Sequence, residues 1–176
     1  MESKIIIAGF GGQGVQSLGT FIAYASIHDG KEVTFLPSYG PEMRGGTSNC
    51  SVVVSDKPVA SPIISAPDIL IAMNKPSLAK FESRVKPCGC IIVNSSLIET
   101  KVKRTDVKVY YVDANDLALK AGNAKTANIV VLGAYAKISG VFTPEVVKAV
   151  IEKKFAKKPA VIPANFAAFD LGYASE

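Results

Sequence analysis

Lys4-Ile5-Ile6-Ile7-Ala8-Gly9-Phe10-Gly11-Gly12-Gln13-Gly14-Val15 is the stretch that decides the fold. Its apolar run is continuous rather than alternating and is followed by glycine, which is the pattern of a short strand buried on both faces. Gly9, Gly11 and Gly14 permit a tight turn and a close approach by another molecule. A helix over residues 14–28 follows, with Val15, Leu18, Ile22 and Ala25 on one face. Gly30 is placed to end that helix in a left-handed cap, and residues 32–36 read as a second strand. The chain therefore opens as a Rossmann-like strand–helix–strand unit.

Outward from there, strands are expected at 49–54, 69–72, 90–93 and 107–112. Helices are expected at 76–85, 113–121 and 126–139 and after Thr143-Pro144-Glu145, where Thr143 offers a hydroxyl cap, and the tail at 163–173 is apolar enough to dock on the body. The second of these holds Leu117 and Leu119, Thr126 would cap the third, and Gly133-Ala134 point to close helix packing. Strands alternating with helices give an α/β fold, layered, with a mostly parallel or mixed sheet flanked by helices, and residues 1–176 forming a single domain.

With 48% hydrophobic and 20% charged residues, the chain has material for a substantial core. The longest apolar stretch, 127–142, is interrupted by Lys137 and shorter than the ~20 residues that span a bilayer, so a buried helix is expected and no membrane role. The absence of a visible leader points to a cytoplasmic protein. The net charge of +5 is concentrated at 101–108 and 148–158 without interleaved aromatics. That suits a solvated surface or an acidic protein partner better than nucleic acid. Cys88-Gly89-Cys90 lacks CxxC spacing and a fourth ligand, and reads as a turn into a buried strand. His28, alone at a helix end, reads as a cap or a solvated side chain.

A second glycine-rich loop, Ser38-Tyr39-Gly40-Pro41-Glu42-Met43-Arg44-Gly45-Gly46-Thr47-Ser48, follows the second strand. Both loops fall where open α/β sheets place their binding crevice. The amides at the start of the first helix suit a phosphate or carboxylate, although the same glycines would also serve helix–strand packing. Arg44 either grips an anion through a bidentate contact or pairs with Glu42 and stiffens the turn. An ordinary dinucleotide site needs a carboxylate at the end of the second strand, and Val33-Thr34-Phe35-Leu36-Pro37 has none. No nucleophile elbow, metal-binding pair or clustered acids emerge, so the inventory suits a component that completes another protein's site.

Five elements carry a family resemblance: residues 9–15, 38–48, Pro67-Asp-Ile-Leu-Ile-Ala-Met-Asn74, Thr126-Ala-Asn-Ile-Val-Val-Leu-Gly-Ala134 and Asn165-Phe-Ala-Ala-Phe-Asp-Leu-Gly-Tyr173. In that order they resemble the gamma subunit of 2-oxoacid:ferredoxin oxidoreductases. The resemblance implies oxidative decarboxylation of a 2-oxoacid to an acyl-CoA with electrons passed to ferredoxin, leaning to 2-oxoglutarate over pyruvate. It implies that thiamine diphosphate is held by alpha and beta subunits and iron–sulfur clusters by a ferredoxin-like delta subunit, with coenzyme A joining the assembled complex. No cofactor would be held by this chain alone, and no residue in it would be catalytic. Gly9, Gly11, Gly12, Gln13, Gly14, Tyr39, Gly40, Glu42, Arg44, Gly45, Gly46 and Thr47 would form one face toward the cofactor or the subunits that bind it. The alternative is a stand-alone NAD(P)-binding Rossmann-like oxidoreductase or sensor.

Overall fold

The run at 5–8 is buried on both faces because it lies at the centre of a six-stranded sheet. A computed structural model describes residues 1–39 and 46–175. Its strands are β1 (Glu2–Phe10), β2 (Glu32–Tyr39), β3 (Thr47–Ser55), β4 (Ile69–Ala72), β5 (Cys90–Asn94) and β6 (Lys108–Val112). Their spatial order is β2-β3-β1-β4-β5-β6. β4, β5 and β6 continue parallel from β1, whereas β3 runs antiparallel to both β1 and β2.

Among the described residues six α-helices follow from the same sequence signals: α1 (Val15–His28), α2 (Lys75–Phe81), α3 (Ala114–Lys120), α4 (Ala127–Ser139), α5 (Pro144–Lys154) and α6 (Ile162–Ala174). Ile5 and Ile7 point into the larger core with Leu18, Ile22, Val130 and Phe169. Ile6 and Ala8 point to the opposite face, against Leu70, Leu78, Phe81 and Ile98. Alternation of one apolar strand between two cores is what makes its sequence read as an unbroken run. No described helix is long and apolar enough to cross a membrane.

The opening departs from a Rossmann unit in one respect. β2 does not lie beside β1; β3 folds back from it and takes the intervening place. The connection from Tyr39 to Thr47 is too short for a crossover, and a short link obliges the next strand to run antiparallel. The place where a dinucleotide fold puts its ribose-binding acid is thus occupied by the start of β3, Thr47-Ser48-Asn49.

Two cap readings change for physical reasons, and the buried face of α3 is made by small residues. Leu119 is exposed, and Ala114 and Ala118 carry the buried face of α3. Thr126 does not cap α4; its hydroxyl donates to the Asn123 carbonyl at 2.7 Å, while the Asn123 side chain caps the short turn before the helix. Thr143 makes no cap bond to α5 either. The Glu145 carboxyl there accepts first from its own amide and then from the Thr143 hydroxyl, which holds it below the ordinary carboxylate range. The expected close packing is found: Gly133 of α4 and Gly172 of α6 let the two helices meet backbone to backbone.

Cys50 of β3 lies under α1, its Sγ 3.7 Å from the Val15 carbonyl oxygen. A Cβ on Gly19 would stand 2.6 Å from that sulfur, so glycine is what lets the helix sit so low. Burial pushes the Cys50 thiol up to about 12. The fold favours the protonated form, so this stabilisation is complete below the unfolded value near ~8.5 and is lost as pH rises toward the folded value. We expect Cys50 to resist thiol reagents at pH 8 in the native protein and to react after denaturation. A native chain in which Cys50 is labelled as fast as Cys88 would contradict this packing.

Candidate functional site

The site begins at the C-terminal end of β1, where the strand runs into α1 through Gly11-Gly12-Gln13-Gly14. The glycines of this loop divide into two kinds. A Cβ on Gly9 would lie within 3 Å of Gln13, Met73 and Val15, and one on Gly14 would meet the Asn128 side chain at 2.5 Å. Those two serve packing, and Gly14 also has φ of 74°. Gly12 has φ of 95° with nothing within 4 Å of an added Cβ, so its conformation needs glycine while its outer side is open.

Gln13 is consumed by the loop itself. Its Oε1 accepts from the Phe10 amide at 2.7 Å, and its Nε2 donates to the Met73 carbonyl at 3.1 Å. Asn74, next to Met73, caps α2 by accepting from the Ser77 amide at 2.9 Å. The last residues of the 67–74 motif are thereby accounted for structurally.

The two glycine loops meet. The Gly11 amide donates to the Gly46 carbonyl at 2.9 Å. Gln16 strengthens the junction, its Nε2 donating to Ser48 Oγ at 3.0 Å and to the Asn49 carbonyl at 2.9 Å. Between the loops lies a cleft of about 640 Å³ lined by Gly11, Gly12, Gly14, Tyr39, Gly46 and Thr47, among others. Gly9 and Gln13 do not line it. Gly40, Glu42, Arg44 and Gly45 lie outside the described residues.

Two features give this cleft its chemistry. α1 opens at Gly14 with no capping side chain and no acidic residue in its first turn, so its leading amides present partial positive charge. Gln16 Oε1 is a buried acceptor with no hydrogen-bond partner among the described residues. A ligand with an anionic group and a nearby N–H or O–H donor satisfies both.

A second cleft of about 510 Å³ shares Gly12, Gly14 and Ser17 with the first. It adds Lys125 from the turn before α4, Lys154 from the end of α5, and Lys158 just beyond it. Asn128, Asn165 and Phe155 complete its wall, with Phe155 braced on Phe21 at 6.2 Å between ring centroids. Sequence reading did not bring these lysines to the site. Lys154 and Lys158 belong to the basic segment read as solvated surface, and only the fold carries that segment to the start of α1. The two clefts meet at Gly12, Gly14 and Ser17 in one groove, with the start of α1 lining both and three lysines lining the second, a setting suited to anionic groups.

Among the described residues no group of three or more His, Cys, Asp or Glu side chains converges on a point, so the donor set does not fit an iron–sulfur cluster.

Residues 4–175 match the family model described as pyruvate ferredoxin/flavodoxin oxidoreductase. The chain is 38% identical over 172 residues to the ketoisovalerate oxidoreductase subunit VorA of Methanothermobacter thermautotrophicus, covering 97% of this chain but 36% of that one, so it spans about a third of the length of that relative. It is 33% identical to the 2-oxoglutarate synthase subunit KorC of Methanocaldococcus jannaschii, with 98% and 93% of the two chains covered. The solved gamma subunit of a keto/oxoacid ferredoxin oxidoreductase from Geobacter sulfurreducens superposes with a TM-score of 0.88 at 30% identity over 99% and 96% of the chains. The 2-oxoglutarate:ferredoxin oxidoreductase of Magnetococcus marinus, solved with 2-oxoglutarate, coenzyme A and succinyl-CoA bound, gives 0.91 at 26% identity, covering 99% of this chain and 31% of that one. With fold and sequence in agreement over nearly its whole length, this chain belongs to the pyruvate ferredoxin/flavodoxin oxidoreductase family.

Proposed function

We propose that this chain is the gamma component of a cytoplasmic multi-subunit complex that converts a 2-oxoacid and coenzyme A to an acyl-CoA and carbon dioxide, passing the electrons to ferredoxin. Alpha and beta subunits hold thiamine diphosphate, and a ferredoxin-like delta subunit holds the clusters. The gamma chain contributes the groove described above, which receives the anionic part of coenzyme A and presents it to the partners' active site. The residues fit that group: the diphosphate and the 3′-phosphate are two separated anions, and the pantetheine amides are donors suited to Gln16 Oε1.

The observation that supports this reading is the Gly11–Gly46 junction, which brings the first glycine loop and the described end of the second to one groove at an uncapped helix terminus. Among the loop residues, Gly11, Gly12, Gly14, Tyr39, Gly46 and Thr47 line it, while Gly9 and Gln13 shape it from behind. A stand-alone dinucleotide enzyme is disfavoured by the placement of β3 beside β1, with no carboxylate at its start. The end-to-end likeness to a KorC subunit supports 2-oxoglutarate ahead of pyruvate, and the likeness to a ketoisovalerate relative supports substrate choice on a partner chain.

Two experiments test the assignment. The tagged chain isolated from its native host should bring with it bound thiamine diphosphate and 2-oxoacid-dependent reduction of a ferredoxin. Turnover by the chain free of companions would overturn it. Arg44→Ala, on the second loop, should lower turnover or assembly of the reconstituted complex at least several-fold while the isolated chain keeps its melting temperature. An Arg44→Ala complex that assembles and turns over like wild type would remove Arg44 from the site.

A further inference from the structure

α1 buries Val15, Leu18, Phe21, Ile22 and Ala25, which leaves Ser17, Tyr24, Ile27 and His28 exposed on its outer side. Tyr24 and Ile27 are 54% and 56% exposed, although a surface helix ordinarily keeps its large apolar side chains on the inner face. α5 lies alongside, with Phe21 of α1 against Phe155 just past its end, 6.2 Å between ring centroids. Between the two helices is a cleft of about 440 Å³ lined by Tyr24, Ile27 and His28 of α1 and by Val150, Lys153 and Lys154 of α5. A single exposed apolar side chain needs no explanation; two on one helix face beside a cleft do.

The charge of this cleft is of one sign, with two lysines and no acid among the described residues that line it. Among the described residues neither Lys153 nor Lys154 makes an ion pair, whereas Lys148 on the same helix is spent on Asp170 at 2.7 Å. Unspent ammonium groups beside exposed aromatic and aliphatic surface complement an acidic surface that carries an apolar anchor. The cleft is also continuous with the ligand groove: Lys154 lines both, and Ser17 on the same side of α1 lines the two clefts of that groove. In the relatives of which this chain covers 36% and 31%, the matched part shares its chain with further sequence, so a part of this kind adjoins sequence other than copies of itself.

We propose that the cleft between α1 and α5 is the docking surface for an acidic segment of a companion subunit. That segment sets an aromatic or branched aliphatic side chain against Tyr24 and Ile27 and carboxylates against Lys153 and Lys154. The inference rests on the reading of this chain as one component of a multi-subunit enzyme. The two kinds of contact act differently. Burial of Tyr24 and Ile27 slows dissociation, while the lysines speed encounter and make association sensitive to salt.

A carbodiimide, which joins a touching ammonium and carboxylate without a spacer, tests this on the native complex isolated through this chain. Peptide mass analysis is expected to find Lys153 linked to an Asp or Glu of a companion subunit, and acetylation of Lys153 at least several-fold slower than in the free chain. The double variant Tyr24→Ala, Ile27→Ala should raise the dissociation constant for companions stripped of this chain at least tenfold. Lys153→Glu should do the same, and Lys153→Arg should restore wild-type association. All three side chains are exposed, so the free variants should keep the wild-type melting temperature. A complex that turns over while Lys153 is acetylated as fast as in the free chain overturns the docking and leaves the functional reading standing. So does a Lys153 cross-link to a second copy of this chain. A chain that brings no companion with it overturns both.

Discussion

Gly172→Ala is expected to destabilise the protein by about 3 kcal/mol or more, the range reached when a buried site is overpacked with no room to yield. In most helices the same substitution stabilises by about 0.5–1 kcal/mol, because alanine loses less backbone entropy. The sign reverses here because α6 crosses α4 at its glycines. A Cβ on Gly172 would lie 1.9 Å from the Val130 carbonyl oxygen and 2.7 Å from its carbon. From the other side, a Cβ on Gly133 would lie 2.2 Å from the Phe169 carbonyl oxygen and 2.7 Å from the Tyr173 amide. These neighbours are backbone and cannot rotate away, so the helices must part. Parting them opens the packing around Phe169, Tyr135 and Val130 and displaces Asn165, which lines the lysine-rich half of the groove. Urea denaturation reads the effect directly as a lowered midpoint. A midpoint equal to or above that of wild type would show that the helix crossing is not as tight as described.

Gly12→Val should raise the KM of the assembled complex for coenzyme A about tenfold or more while leaving the KM for the 2-oxoacid near its wild-type value. Gly12 is the position at which ligand and fold separate. Valine at φ of 95° costs roughly 1–2 kcal/mol of backbone strain, and its Cβ would meet no described atom within 4 Å. Gly12 lines the groove, so the added bulk stands where a phosphate would approach the first amides of α1. Gly14→Ala provides the contrast. Its Cβ would strike Asn128, so its larger effect should be on melting temperature. Steady-state kinetics with each substrate varied in turn distinguishes the cases. A Gly12→Val complex with both KM values unchanged would place coenzyme A elsewhere.

Much of this architecture is legible in the sequence because the signals are local. The Ile5–Ala8 run, the glycines after it and the Pro-Glu start of α5 each fix an element without reference to the rest. The order of the strands is not local. Whether β2 or β3 lies beside β1 depends on the short connection after Tyr39, and the strand–helix–strand opening by itself suggests the wrong neighbour. Caps are legible in kind but not in partner: Thr126 and Thr143 have the right chemistry, yet Asn123 and Glu145 take the bonds. The candidate site divides along the same line. The loop half of the groove announces itself by its glycines. Lys125, Lys154 and Lys158 sit on separate elements and look like ordinary surface charge until α4 and α5 bring them to the start of α1. Gln13 shows the reverse error, a residue in the right motif whose side chain is spent on Phe10 and Met73.

The central claim is that the groove between the glycine loops and the three lysines takes the anionic part of coenzyme A. A photoactivatable analogue of coenzyme A, with the reactive group on its adenine ring, tests it most directly when cross-linked to the assembled complex and mapped by peptide mass. The account predicts adducts within residues 123–165 of this chain, competed away by unlabelled coenzyme A. Adducts confined to the partner subunits, with this chain unlabelled, would contradict it.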